Sequence, residues 1–184
     1  MDGWNEDGVI ARVTIDMPAT IRRCRADDLP ALEWYGLYTP HREIIQATFQ
    51  AQESGDAVML VADVRGFPAG QAWLDFARKR AMGLATLWAL RVFPPFQRAG
   101  LGHALMWAAE RTVLDQGVRA MELGVDRDNT GVMRFYERLG YTRAGHERGQ
   151  YSYRTPDGDL IEVPIDQLLL RKSLATASPR RAAR

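Results

Sequence analysis

The chain has 184 residues, of which 46% are hydrophobic and 26% are charged, a composition typical of one folded domain with a substantial core. Its formal net charge is +1, and three arginines lie in residues 175–184, so the rest of the chain carries about −2 (+1 less 3) and has no basic footprint for nucleic acid. No apolar run reaches the roughly 20 residues that span a bilayer, and no signal peptide begins the chain. Cys24 has no partner for a disulfide. Together these features predict a cytoplasmic protein without nucleic-acid or membrane partners.

The order of apolar patterns predicts one domain over residues 20–174. Before it lies an extension, 1–19, with a β-like run at 9–15, and after it lies a disordered basic tail, 175–184. In chain order we expect a strand at 20–25, a helical region at 27–38, a helix at 41–52, strands at 57–64, 69–76 and 84–92, a helix at 101–116, a strand at 120–125, a short helix at 130–139, and an antiparallel pair at 143–153 and 166–174. This mixture predicts an α+β fold around a mixed sheet.

The junction between the strand at 84–92 and the helix at 101–116 reads Gln97-Arg98-Ala99-Gly100-Leu101-Gly102. A strand that turns through glycines into a helix presents free backbone N–H groups and a positive dipole end, which together bind anions such as phosphate. A tight connection without a ligand is the alternative. The junction is not a P-loop, since no Gly-Lys-Ser/Thr follows, and it lacks the third glycine of the dinucleotide fingerprint.

A second informative segment runs from Asn129 to Tyr141 and predicts a short helix. Asn129 or Thr130 can cap its start, and Gly140 suits its end. Its apolar stripe consists of Val132, Phe135, Tyr136 and Leu139.

These two segments, in this order, resemble the second half of the GCN5-related N-acetyltransferase (GNAT) core. The resemblance is strong over 84–141 and extends by element order over 20–174; Leu90-Arg91-Val92-Phe93-Pro94 is similar to the family's Leu-Ala-Val-x-Pro. It implies a mostly antiparallel sheet of about six to seven strands with about four helices, splayed between its fourth and fifth strands (84–92 and 120–125). It also implies that acetyl-coenzyme A is the cofactor and that its pantetheine arm lies in the gap as an added strand would.

The resemblance also implies which residues bind the cofactor. The Gln97–Gly102 junction would hold the pyrophosphate, and the later helix would hold the pantetheine and the thioester. The implied cofactor-binding residues are Leu90, Arg91, Val92, Gln97, Arg98, Ala99, Gly100, Leu101, Gly102, His103, Asn129, Val132, Phe135 and Tyr136. A capping role for Asn129, an exposed loop role for Arg98 and a solvent role for His103 stay open.

Acetyl transfer to an amine needs a general acid for the leaving thiolate. Tyr136 stands at the position that resembles the family's general acid, with a plain core role as the alternative. A backbone N–H near Arg91 or Val92 would polarise the thioester carbonyl.

The general base is the least determined role. The strand at 84–92 contains no acidic residue, and Gly124 stands where relatives that act on protein N-termini often carry glutamate. Glu122, two residues earlier and on the same strand face, is the predicted carboxylate base, directly or through water. An exposed strand-edge role is its alternative. The histidines His41, His103 and His146 are further candidates for the base.

The resemblance implies an acceptor site built by the first two helices, their loop and the last hairpin. Aromatic and acidic candidates there are Trp34, Tyr35, Tyr38, His41, Glu43, Tyr151 and Tyr153, of which Trp34, Tyr38 and Tyr151 are the predicted substrate-binding residues. We predict an N-acetyltransferase, without a metal, that moves the acetyl group of acetyl-coenzyme A to a small-molecule or peptide primary amine by direct attack in a ternary complex, as a monomer or homodimer. A non-catalytic acyl-coenzyme A-binding or regulatory module is the alternative.

Overall fold

A computed structural model describes residues 16–174; the β-like run at 9–15, most of the predicted extension and the predicted tail lie outside the described residues. One sheet contains all the strands: β1 Thr20–Arg23, β2 Ala57–Val64, β3 Phe67–Asp75, β4 Ala85–Val92, β5 Ala120–Asp126, β6 Thr142–Arg154 and β7 Leu160–Ser173. The α-helices are α1 Arg42–Glu53, α2 Leu101–Asp115 and α3 Thr130–Arg138. Single 3-10 turns cover Ala26–Asp28, Ala31–Glu33, Thr39–His41, Arg80–Met82 and Pro94–Phe96.

The strand order is β1-β2-β3-β4-β5-β7-β6, and every neighbouring pair is antiparallel except β4 and β5. The predicted α+β fold with its mostly antiparallel sheet is therefore confirmed. No helix among the described residues is both long and apolar enough to cross a membrane.

Two predicted elements differ from the structure. The continuous helical region at 27–38 is wrong: the chain there forms two 3-10 turns, because Pro30 has no N–H to continue the helical hydrogen bonds and Trp34 and Tyr35 adopt positive φ values of 45° and 56°. The last strand begins at Leu160 rather than 166, since the turn after Arg154 leads directly into the Arg154–Leu160 pair.

The sheet separates two apolar cores. On one side, which we call the α2 face, Leu60, Leu74 and Leu87 pack with Met106 of α2 and Met133 of α3. On the other side, the α1 face, Met59, Val61 and Trp73 pack with Ile45 of α1. Because side chains alternate along a strand, β2 and β3 supply both cores, which explains their nearly continuous apolar sequence.

The parallel pair β4–β5 is short, and its end creates the gap that the sequence predicts. The two strands pair only through Ala85–Leu87 and Met121–Leu123. In β4 an extra residue separates Trp88, opposite Trp73, from Arg91, opposite Gln71, and Ala89 there has a φ of 52°. This β-bulge increases the local twist, and the carboxyl halves of β4 and β5 separate beyond it.

Candidate active site

The start of α2 presents a row of free backbone donors. The N–H groups of residues 98–103 donate to no carbonyl within 16–174, and the hydrogen bonds of the helix begin with that from Ala104 N–H to the Gly100 oxygen at 3.1 Å. Arg98 and Gly100 have φ values of 65° and 84°, which turn successive N–H groups toward one concavity. A Cβ on Gly100 would meet nothing within 4 Å, so the space before the helix is open. These features fit a bound pyrophosphate.

Gln97 fixes this loop to the sheet. Its Nε2 atom donates to the Val92 carbonyl at 3.0 Å, at the end of β4. The Gln97 side chain therefore positions the loop, while the residues after it supply the donors.

The edge of β4 that faces the gap carries backbone groups of Leu90 and Val92 that pair with no strand, and of these only the Val92 carbonyl is engaged, by Gln97. Phe93 N–H donates to the Ala69 oxygen at 2.8 Å, which fixes the alternation of the β3–β4 ladder. By that alternation Arg91 points its backbone groups toward β3, whereas those of Leu90 and Val92 point toward β5, which no longer pairs there. Of the three predicted strand-four positions, Leu90 and Val92 thus suit the pantetheine, and the backbone of Arg91 does not.

Helix α3 lies against the start of α2 and brings the two predicted motifs together. The ring of Phe135 meets that of His103 edge-on at 5.0 Å between centroids, and its Cζ would lie 3.7 Å from a Cβ on Gly102. The Asn129 Oδ1 atom accepts from Val132 N–H at 3.2 Å. This cap uses only the oxygen, so the Asn129 amide N–H₂ can still donate to a ligand, and the two open roles are compatible.

Tyr136 is 6% exposed and lies between the rings of Phe135 and Tyr141. Burial raises the pKa of the Tyr136 phenol above its usual value near 10. The phenol therefore keeps its proton throughout the neutral range, as a general acid must before the thiolate forms.

A cavity of about 500 Å³ opens on the α1 face, across the end of the β4–β5 pair. Its lining includes His41, Trp88, Arg91, Glu122, Gly124 and Tyr151. None of the loop residues 97–103 lines it, so this loop and the cavity approach the gap from opposite faces of the sheet.

Glu122 is at the floor of this cavity and only 1% exposed. It forms ion pairs with Lys79 and with Arg171, the latter at 2.7 Å. Burial alone would raise the pKa of Glu122, but the hydrogen bonds from Lys79 and Arg171 outweigh it and lower that pKa. The alternative of an exposed strand-edge residue is therefore wrong, and the carboxylate is a buried anion held by two cations.

His41 lines the same cavity but, in contrast to Glu122, has a polar atom without a partner among the described residues. Its Nδ1 atom is buried and has no hydrogen-bond partner among the described residues, and its ring centroid lies 4.4 Å from that of Tyr153. Burial, and then the charge of Arg91, lower the pKa of His41, so its imidazole is neutral at pH 7. His103 instead packs on Phe135, and His146 pairs with Asp166 on the outer hairpin.

The predicted acceptor aromatics divide into two groups. Tyr151 lines the cavity and is 44% exposed. Tyr38 lies beneath the Arg91 guanidinium, whose Cζ is 4.3 Å from the ring centroid. Neither Tyr38 nor Trp34 lines the cavity itself. Trp34 is 2% exposed, and its Nε1 donates to the Pro68 carbonyl at 2.7 Å, so it supports Tyr38 from the core.

Sequence reasoning missed Trp88 and the side chain of Arg91 as parts of the cavity wall. Trp88 packs edge-on against Trp73 at 4.8 Å, beside the cavity. The alternation of side chains along β4 predicts that Thr86 and Trp88 share one face of the sheet. Arg91 follows the bulge, which shifts the alternation by one residue, so the same rule would have placed it on the opposite face.

Comparison with known proteins agrees with this architecture. The model of the acetyltransferase (GNAT) family matches residues 23–141, and the chain belongs to that family. Mycothiol acetyltransferase of Pseudarthrobacter chlorophenolicus is 32% identical over 87 residues, which are 46% of this chain and 27% of that protein. The chain thus spans about a quarter of the length of this curated relative.

Solved structures match over nearly their whole length. The ribosomal-protein-S18-alanine N-acetyltransferase of Escherichia coli has a TM-score of 0.64 and 25% identity, covering 89% of this chain and 98% of that one. The structure of yncA from Salmonella typhimurium with its cofactor acetyl-CoA has a TM-score of 0.66 and 20% identity, covering 92% and 100%. The second likeness supports the fold alone.

Proposed function

We propose that this protein is an acetyl-coenzyme A-dependent N-acetyltransferase that acetylates a primary amine by direct attack within a ternary complex. One observation carries the proposal: free backbone donors at α2 and an open edge of β4 lie on one side of the β4–β5 gap, and a cavity lined by both charged and apolar side chains lies on the other. The family membership and the named relatives support it. A cytoplasmic monomer or homodimer is part of the same proposal.

The residues present fit the cofactor. Acetyl-coenzyme A supplies an acetyl thioester. The N–H groups of residues 98–103 would bind its pyrophosphate, with Arg98 nearby, and the backbone of Leu90 and Val92 would bind its amide arm. The Asn129 amide would donate to the same arm, while Val132 and Phe135 border the groove.

The chemistry forms a bond between the amine nitrogen and the acetyl carbon and breaks the bond from that carbon to sulfur. The Tyr136 phenol donates its proton to the departing sulfur. A backbone N–H at the gap-facing edge of β4, at Leu90 or Val92, stabilises negative charge on the carbonyl oxygen. The amine gives up one proton to a base and thereby enters the product as a neutral amide.

We assign the base to His41 ahead of Glu122. The neutral imidazole of His41 lines the cavity, and its buried Nδ1 has no partner among the described residues, whereas both oxygens of Glu122 already accept hydrogen bonds from Lys79 and Arg171. Glu122 stays a prediction as a base that acts through water, and its contacts favour a role in holding the cavity floor.

The engagement of both Glu122 oxygens by Lys79 and Arg171 favours the second candidate, an acyl-coenzyme A-binding module without turnover. Calorimetric titration with acetyl-coenzyme A, followed by a screen of amines for release of free coenzyme A thiol, separates the two. Micromolar binding with thiol release supports the transferase, and binding without release supports the module. A folded protein that binds no acetyl-coenzyme A would overturn both.

Tyr136→Phe tests the acid. We expect turnover to fall at least about tenfold, with affinity for coenzyme A unchanged, because general acids contribute about 10²- to 10⁴-fold. Tyr141→Phe is the matched control: its ring adjoins that of Tyr136, but its hydroxyl bonds to Glu110 at 3.1 Å, and Glu110 keeps Lys172 as a partner. Equal turnover of Tyr136→Phe and the wild type would refute the acid role.

A further inference from the structure

Arg91 brings a positive charge into the acceptor cavity that no anion among residues 16–174 neutralises. Its side chain is half-buried, lines the cavity and stacks on Tyr38 at 4.3 Å. It forms no ion pair within the described residues. Burial lowers the pKa of Arg91, and the neighbouring hydroxyls of Tyr38 and Tyr151 oppose that change in part. A partly buried guanidinium without a carboxylate is an unusual arrangement, because removing its water is costly unless an anion replaces that water.

The acidic residues of the cavity are all engaged elsewhere. Glu122 pairs with Lys79 and Arg171, and Glu147 pairs with Arg78 at 2.6 Å. Asp75 accepts from two backbone N–H groups, at 2.8 and 2.9 Å. Within the described cavity wall, Arg91 is therefore the cation that lacks a partner.

A second donor in the same cavity also lacks a partner. The Nε1 atom of Trp73, a residue that is 1% exposed, is buried and bonds to nothing among the described residues. The Arg91 guanidinium, the half-buried one of these two groups, can only donate hydrogen bonds, so this part of the cavity suits a ligand that brings acceptor oxygens.

The phosphates of coenzyme A do not meet this need. The anion-binding loop 98–103 belongs to the start of α2, and none of its residues lines the cavity. The Arg91 side chain instead faces α1, between Tyr38 and the cavity.

We propose that the acceptor is a small amine that carries a carboxylate, and that Arg91 binds this carboxylate on the α1 face. This inference rests on the proposed transferase function. A planar guanidinium binds a carboxylate through two parallel hydrogen bonds, and a cavity of about 500 Å³ suits a small molecule. Arg91 is thus a specificity residue, while the amine of the same molecule reaches the thioester at the gap.

Matched acceptors test the proposal. The common amino acids and their carboxamides are each offered with acetyl-coenzyme A, and thiol release is followed. In the wild type we expect kcat/KM for the best acid to exceed that for its carboxamide at least about tenfold. Arg91→Gln should remove this difference mainly through KM, and Arg91→Lys should restore part of it. Arg80→Gln is the control, since Arg80 pairs with Asp56 and does not line this cavity.

A binding measurement that needs no turnover accompanies it. The N-acetylated amino acids and their carboxamides are compared by thermal shift, and we expect stabilisation by an acid that Arg91→Gln abolishes. Carboxamides that match or exceed the acids in both assays, or a preference that survives in Arg91→Gln, would overturn the proposal. Acetyl-coenzyme A binding, measured by calorimetry on the same samples, shows separately whether the transferase assignment holds.

Discussion

Replacing Glu122 by glutamine tests the electrostatics of the cavity floor. The carboxylate is 1% exposed and accepts from Lys79 and from two nitrogens of Arg171, at 3.1 and 2.7 Å. Removing one partner of a fully buried ion pair costs about 3–5 kcal/mol. Lys79 and Arg171 side chains are 18% and 39% exposed, so water partly solvates them, and the amide oxygen keeps one acceptor. We expect a loss of about 2–3 kcal/mol in the free energy of unfolding.

Urea denaturation, followed by tryptophan fluorescence, measures this loss as a shift of the midpoint of about 1 M. Glu147→Gln is the matched control, because its ion pair with Arg78 joins side chains that are 29% and 54% exposed and contributes less than about 1 kcal/mol. The pKa of Glu122 is lowered in the folded state, so its stabilisation is present above the unfolded pKa near 4.3 and disappears as the pH falls through the folded pKa. A loss below about 0.5 kcal/mol at pH 7, or one that does not shrink at low pH, would refute the reasoning.

Two further changes test the cofactor loop and the base. Gly100→Val should weaken binding of coenzyme A in calorimetry at least about tenfold, because the new side chain enters the open space before α2. The control is Gly117→Val, which imposes the same kind of backbone strain at a φ of 77° beyond the other end of α2. This control should leave the affinity for coenzyme A unchanged. His41→Gln should lower kcat at least about tenfold and remove the acidic limb of the pH–rate profile. In the wild type we expect this limb below pH 6.5, because burial and Arg91 lower the pKa of His41. A profile that His41→Gln leaves unaltered would return the role of base to Glu122.

The parts of the fold that local patterns determine were predictable from the sequence. The β2 strand at 57–64 and the starts of α2 and α3 agree because apolar period and capping residues specify them locally. The segment from Ala26 to His41 did not follow its pattern, since the positive φ values at Trp34 and Tyr35 depend on tertiary contacts of those rings. The ion pairs of Glu122 were also out of reach, because Lys79 and Arg171 are 43 and 49 residues away in sequence.

The bulge in β4 decides which side chains reach the cavity on the α1 face. Before it, Thr86 and Trp88 face α1; after it, Leu90 and Val92 join the α2 core and Arg91 faces α1. Because of the one inserted residue, the core-facing side chain after Leu87 is Leu90, three positions later instead of two, and the core stays covered. A substitution at position 91 therefore changes the charge of the α1 face and of its cavity, while the side chains of the α2 core stay where they are.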